Sequence, residues 1–347
     1  MLIVLIILSA VSIYYYGARA MVILLLSVLT CITADMLCHR IRHIKSEGYD
    51  ILSSFETGLV LGLMMSAAVP YYVLVTADIF AIVICKHSFG GRGHEIFNSA
   101  AAAFLFASLC FSGSMLVYPK PFDYIGLGSS AITDASLFSS MTKTFISTDA
   151  PSASIMDMFI GKFNGPMGTG ATIILLISAV FLALRRSVSA ISFFTQLAIV
   201  AGYTFIYSRF SLEYTLSNIS GGMLIFGMIF LSCDYRTIPK TKSSRFIYGV
   251  IMGVLVLVFR FYANVENAVI YAVIIAAPFG IELDKRSVSF AEILSKEKSG
   301  IFVKLKRRFN KNLNHVGETL TLINGSDNNG QQSHKFTIHR RNKKSGK

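Results

Sequence analysis

The sequence predicts an all-α integral membrane protein with about ten transmembrane helices, set in two five-helix halves of opposite orientation. Three observations predict it. Of the 347 residues, 53% are apolar and 15% charged, against about 25% charged in an average soluble chain, and mean hydropathy is +0.59. Ten apolar runs follow one another, each near the roughly 20 residues that span a bilayer. One long polar segment separates the first five from the last five. This composition excludes a disordered chain, a secreted disulfide scaffold and an ordinary soluble enzyme.

The runs lie at about 1–17, 19–38, 51–69, 71–86, 97–118, 168–184, 188–208, 218–233, 246–263 and 266–283. Ala18-Arg19-Ala20 after the first run has the small–x–small form of a signal-peptidase site. No basic residue precedes Leu8, however, and a second apolar run follows at once, so a retained first helix is expected. The polar segment, rich in Ser, Thr, Gly and Asp, gives the division 1–118 (first half), 119–167 (extracytoplasmic loop), 168–284 (second half) and 285–347 (basic tail). Five spans in each half reverse the direction of the second, the plan of an inverted repeat with a site near the midplane.

Charge sets the orientation. The tail from 284 holds 15 of the 32 Lys and Arg but only five acids. With the N-terminus inside, 26 basic residues fall on the cytoplasmic side. Six fall outside: Arg19, Lys120, Lys143, Lys162, Arg209 and Arg260. Without the tail the balance is 11 to six, still positive inside. Both termini are therefore expected in the cytoplasm and the protein in the cytoplasmic (inner) membrane. A basic segment beside a membrane anchor meets anionic lipid; no motif accompanies it that would suggest nucleic acid. The stretch Phe302–Phe309 alternates apolar and basic residues, as in a helix lying on the inner leaflet, and the polar sequence after about 320 has the composition of disorder.

Cys31, Cys38, Cys85, Cys110 and Cys233 form no CxxC pair and read as small apolar residues. No metal-ligand spacing, catalytic triad or Walker loop is present. His39 and His43 flank basic residues in an inside loop and read as solvated or lipid-facing. Tyr14, Tyr15, Tyr16 and Tyr118 fall at outer span ends and suit an interfacial aromatic belt. The carboxylates within apolar runs are Asp35, Glu56 and Asp78; such groups are functional candidates by default. For Asp78 an ion or proton path stands beside a structural hydrogen bond to a neighbouring helix. For Asp35 and Glu56, near span ends, the structural role leads, with Glu56 also placed to face a ligand.

The most informative stretch is the inside loop Lys86-His87-Ser88-Phe89-Gly90-Gly91-Arg92-Gly93-His94-Glu95-Ile96-Phe97-Asn98. Its glycines allow backbone N–H groups close to a ligand, and Lys86 and Arg92 attract an anion; a tight, positively charged turn has the same composition. The run KHSFGGRGHEIFNSA resembles the KHxFGGxGxNxFNPA signature of the RnfD/NqrB family. Its members are membrane flavoproteins of the Rnf complex and of the sodium-translocating NADH:quinone oxidoreductase. Further matches follow in the family's order over about 50–285: Glu56-Thr57-Gly58; Gly161, Gly165 and Gly168; Gly221-Gly222; Phe230 through Asp234 to Pro239; then Tyr248-Gly249, Gly253, Arg260 and Asp284.

The resemblance implies a ten-helix bundle that holds flavin. One FMN is joined through its phosphate to a Thr in an outside Asp-x-x-Ser-Gly-Ala-Thr segment. A second flavin, such as riboflavin, is held without a covalent bond in related members. Here the segment reads Asp149-Ala-Pro-Ser152-Ala-Ser154: the Gly is absent and the acceptor Thr is replaced by Ser154, whose hydroxyl can form the same phosphoester. The family's Asn-Pro-Ala is Asn98-Ser99-Ala100, its Thr-Asp-Pro is Cys233-Asp234-Tyr235, and an Asn of the last span is Ala277. The candidate flavin residues are thus Ser154 and Ser152 at the attachment segment, with Thr57, Lys86, Gly90, Gly91, Gly93, Phe97, Asn98 and Asp234; Asp78 is the candidate for an ion path.

The function implied is an electron-transfer subunit of an ion-translocating, Rnf- or Nqr-like redox complex, acting with other membrane subunits because it has no NADH site or iron–sulfur ligands. The alternatives are a scaffold or free-flavin subunit without covalent FMN, which the altered 149–156 segment supports, and a small-solute transporter on the same plan.

Overall fold

The computed structural model describes residues 1–43, 48–91, 95, 97–115, 117–124, 126–127, 155–170, 172–234, 238–280 and 282–283. Each of the ten expected apolar runs carries helix. The first half has α1 (Leu2–Tyr16), α2 (Ala18–Ile41), α3 (Gly48–Met64), α4 (Tyr71–Ile79) and α5 (Ser99–Cys110), followed by a single turn at Ser112–Met115. After α6 (Ile155–Ile160) come α7 (Thr172–Leu184), α8 (Ala190–Tyr207), α9 (Leu212–Ser220), α10 (Leu224–Gly227), α11 (Lys242–Leu257) and α12 (Ala268–Gly280). Three helices continue with π geometry: α4 through Phe80–His87, α10 through Met228–Ser232 and α11 through Val258–Tyr262. No β-strand occurs among the described residues; Val188 and Asp234 pair in an isolated antiparallel bridge.

Ala18–Ile41, Ala190–Tyr207 and Lys242–Tyr262 are each long and apolar enough to cross a membrane. The expected single run 218–233 is broken. Leu212–Ser220 and Leu224–Ser232 meet at 56°, because Gly221-Gly222 interrupts the helical ladder and Gly222 takes a positive φ of 67°. Arg260 answers the break by donating to the carbonyls of Asn218 (2.6 Å) and Gly221 (2.8 Å), groups that a helix end leaves without partners.

The helices carry apolar side chains outward as well as inward. Met21, Leu25, Leu29 and Leu37 of α2 and Ile177, Val180 and Leu184 of α7 are exposed, as a lipid-facing surface requires. Inside, one core joins the two halves of the bundle, with Val4, Leu5 and Leu8 of α1 buried alongside Phe226, Phe230 and Val269.

Several placements correct the sequence expectations. Tyr15 and Tyr16 are not interfacial: both are buried and donate to the carbonyls of Ile160 and Gly165, tying α1 to the segment before α7. Tyr118 is buried too, and only Tyr14 of the four tyrosines is exposed. Arg19 and Arg260, outside charges in the positive-inside balance, are buried. Arg19 donates to Gly126 O and Ala68 O with its guanidinium over the Tyr71 ring. Each of these arginines thus serves backbone carbonyls rather than facing water. Arg19 lies two residues past the Gly17 joint, at the start of α2, and α1 supplies core side chains. All five cysteines are free thiols, of which Cys31, Cys85 and Cys233 are buried but Cys110 is exposed. Most of the loop 119–167 and the tail after 284, with Phe302–Phe309, lie outside the described residues.

Candidate functional site

Three of the predicted residues, from three separate parts of the chain, line one small recess of about 20 Å³: Thr57 of α3, Asn98 before α5 and Asp234 after the π turn of α10. Glu56, Glu95 and Phe230 share its wall. Each predicted residue also has a local task. Thr57 Oγ1 donates to Ser53 O at 3.0 Å, one turn back. Asn98 caps α5, its side-chain oxygen accepting from Ala101 N at 3.2 Å. Asp234 O accepts from Ile238 N. Gly58, next to Thr57, sits where a Cβ would come within 3.0 Å of Ser27 O on α2. The Thr-Gly pair therefore serves both a polar wall and a close helix crossing.

The glycine turn is arranged differently from the expectation. Gly90 and Gly91 have φ of 114° and 89°, values only glycine adopts readily. Their N–H groups bond the carbonyls of His87 (3.3 Å) and Lys86 (3.1 Å). They close the end of the π-helical segment instead of projecting toward a ligand. Lys86 does not face the loop either. It is buried, and its ammonium donates to Asp35 Oδ1 at 3.1 Å, Ser54 Oγ at 2.7 Å and Asp50 O at 3.4 Å. The physical reason is Asp35, a fully buried carboxylate on α2 that needs a counter-charge in a low-dielectric interior. His87 joins them, with Nε2 2.7 Å from Asp35 Oδ1.

Phe97 stands apart from the recess. It lines an apolar groove of about 380 Å³ with Phe80, Phe89, Phe106 and Leu109, in which Phe80 and Phe106 stack at 4.1 Å. Asp78, the candidate for an ion path, is fully buried. It accepts from Thr30 Oγ1 at 2.6 Å and Ser27 Oγ at 2.8 Å, with Cys31 Sγ at 3.5 Å, all on α2. That is the interhelical hydrogen bonding which stands as the alternative to a path. Ser152, Ser154 and Gly93 lie outside the described residues.

His39 also joins this end of the bundle, against the expectation of a solvated side chain: it faces both Asp35 and Asp50. The i,i+4 spacing of Asp35 and His39 on one helix face is the signal the sequence offers for it. The approach of His87 is tertiary and leaves no trace in spacing.

The donor set of the recess bears on flavin. Three of the residues around it are acids (Glu56, Glu95 and Asp234), no Lys or Arg among the described residues lines it, and Lys86 is committed to Asp35.

An exposed apolar surface, buried ion pairs between helices and a broken helix inside the bundle together define a mostly helical, multi-pass membrane protein. Residues 1–286 match the NQR2, RnfD, RnfE family, and the chain belongs to that family; the match includes α1 and α2, which the motif resemblance does not reach. Among its relatives is the D subunit of the ion-translocating oxidoreductase complex of Actinobacillus succinogenes, 22% identical over 77% of this chain and 84% of the relative. That of Aliivibrio salmonicida is 25% identical over 76% and 84%. The D subunit of the proton-translocating ferredoxin:NAD(+) oxidoreductase complex of Clostridium ljungdahlii is 23% identical over 76% and 81%.

Proposed function

We infer that the protein is the membrane flavoprotein subunit of an Rnf-like ion-translocating electron-transport complex. It passes electrons between flavin and partner subunits in the cytoplasmic membrane. Its ten spans form two opposed halves with both termini in the cytoplasm, and the basic tail rests on anionic lipid. The observation that carries this function is the family match over residues 1–286. Supporting it, Thr57, Asn98 and Asp234, drawn from three motif segments, line one recess.

FMN, when attached, supplies one-electron chemistry. Its phosphate belongs at Ser154, with Ser152 as the neighbouring hydroxyl, because Asp149–Ser154 stands where the family's attachment segment does. The chain's own residues hold the scaffold rigid: Asn98 fixes the start of α5, and the Lys86–Asp35 pair fixes the extension of α4 against α2. The test is flavin content of the purified chain, with Ser154→Ala and Ser152→Ala beside it.

A second function has one observation in its favour. The segment Asp149–Ser154 lacks the Gly and the Thr of the family's attachment sequence. On that ground the chain is a scaffold or free-flavin subunit of the same complex. Flavin released by denaturation, or none at all, distinguishes this from covalent attachment.

A further inference from the structure

Asp78 is a fully buried carboxyl on α4, and no cation among the described residues answers it. The ion pairs among those residues all involve Asp35 or Asp50. Lys86 and His87, further along the same element, are both bonded to Asp35. The groups that face Asp78 are uncharged. From α2 come Ser27, Thr30 and Cys31. From α3 comes the Gly58 carbonyl behind Ser27, while Glu56 of that helix lines the recess with Thr57 instead. On the other side α5 packs against α4 with small and apolar residues, and its sequence has no titratable group before Cys110. An ionised carboxylate costs far more in such surroundings than a neutral acid.

The hydrogen bonds point the same way independently. Ser27 Oγ lies 2.8 Å from Asp78 Oδ1 and 2.8 Å from Gly58 O. A hydroxyl has one proton to give. With Asp78 ionised, one of these contacts sets two oxygens against each other at hydrogen-bond distance with no proton between them. A proton on Oδ1 removes the conflict. Oδ1–H then donates to Ser27 Oγ, Ser27 donates to Gly58 O, and Thr30 Oγ1 donates to Oδ2 at 2.6 Å. Cys31 Sγ, 3.5 Å from Oδ1, adds a weak donor. Separations of this size are those of O–H···O bonds, so the contacts are bridged by protons rather than by a metal ion.

We propose that Asp78 is a proton-binding site. Its side chain is a neutral carboxylic acid at neutral pH and starts a hydrogen-bond chain, Asp78 to Ser27 to Gly58, that ties α4, α2 and α3 together. Loss of the proton to water breaks the Oδ1–H bond and turns the Ser27 hydroxyl from Gly58 O to Asp78. One proton thus chooses between two settings of the chain, at the place where Gly58 lets α3 come close to the α2 backbone. The protonation rests on this geometry and not on flavin; its use in ion translocation rests on the function proposed above.

The test is infrared spectroscopy of the whole chain in detergent at neutral pH. The expected signal is the C=O stretch of a protonated carboxyl group, at higher wavenumber than the carboxylate and amide bands. It should shift down in D₂O and again when the aspartate carboxyls are labelled with ¹³C. It should be lost in Asp78→Asn and stay in Glu213→Gln, whose carboxyl is exposed. In Thr30→Val, which removes the bond to the carbonyl oxygen, it should move to higher wavenumber. Should Asp78→Asn fail to fold, the labelled parent and Thr30→Val decide. A parent chain without such a band, a band that ignores the aspartate label, one that survives in Asp78→Asn or one unmoved in Thr30→Val would each overturn the proposal.

Discussion

Lys86 Nζ lies 3.1 Å from Asp35 Oδ1, and both side chains are almost wholly buried. A buried pair contributes little net stability against an apolar replacement, but removing one partner strands the other charge, at about 3–5 kcal/mol. Asp35→Asn and Lys86→Met should each lower the thermal unfolding midpoint sharply in detergent. The double variant should recover part of the loss. A double variant as unstable as the sum of the singles would show that the two side chains act separately.

Asp78 joins α4 to α2 through Thr30 and Ser27. Interhelical hydrogen bonds in membranes contribute on the order of 0.6–2 kcal/mol each. Thr30→Val and Ser27→Ala should each cost about that much. Asp78→Asn keeps an acceptor and should stay close to the parent, while Asp78→Leu should fall well below both. Ion-translocation assays on the stable Asp78→Asn chain in its complex then separate the two roles: unchanged transport leaves Asp78 structural, and lost transport without lost stability makes it part of a path.

A matched glycine pair tests the packing. At Gly168 a Cβ would lie 2.9 Å from Leu63 Cβ and from the Phe226 ring, between the two halves of the chain. Gly168→Ala should therefore cost about 1–3 kcal/mol through overpacking. At Gly202, inside α8, nothing lies within 4 Å, and Gly202→Ala should be neutral or stabilising by up to about 1 kcal/mol. Unfolding midpoints of the two variants in one detergent decide it; equal shifts would contradict the close packing at Gly168.

The membrane class, the helical runs and the family are legible in the sequence because hydropathy over a span's length is a local property. So is the close set of Thr57, Asn98 and Asp234, through motifs read in order. Other roles are not. Lys86 reads as a loop cation because its partner, Asp35, lies 51 positions away in the chain. Tyr15 and Tyr16 read as interfacial because a span end resembles a membrane boundary, whereas the carbonyls of Ile160 and Gly165 draw them inward. The break at Gly221-Gly222 hides inside an apolar run, and Arg260, which satisfies it, reads as a surface charge.

Arg260 gives a further test. It donates to Asn218 O and Gly221 O at the break, bonds from a charged donor worth about 1.5–3 kcal/mol each. Arg260→Met should destabilise the fold strongly. Arg260→Lys should restore part of the loss, because both bonds come from the single nitrogen Nη2 and an ammonium also carries several N–H donors on one nitrogen. Full rescue by Lys in a thermal unfolding assay would mean that charge alone is needed there.

Flavin attachment is tested most directly by co-expressing the chain with an FMN transferase and examining it on a denaturing gel for fluorescence at its own band, with Ser154→Ala and Ser152→Ala alongside. The expected result is a fluorescent band in the parent and in Ser152→Ala that disappears in Ser154→Ala. The absence of any band from a well-expressed chain, with the transferase active on a control protein, would contradict covalent FMN and leave a free-flavin or scaffold subunit.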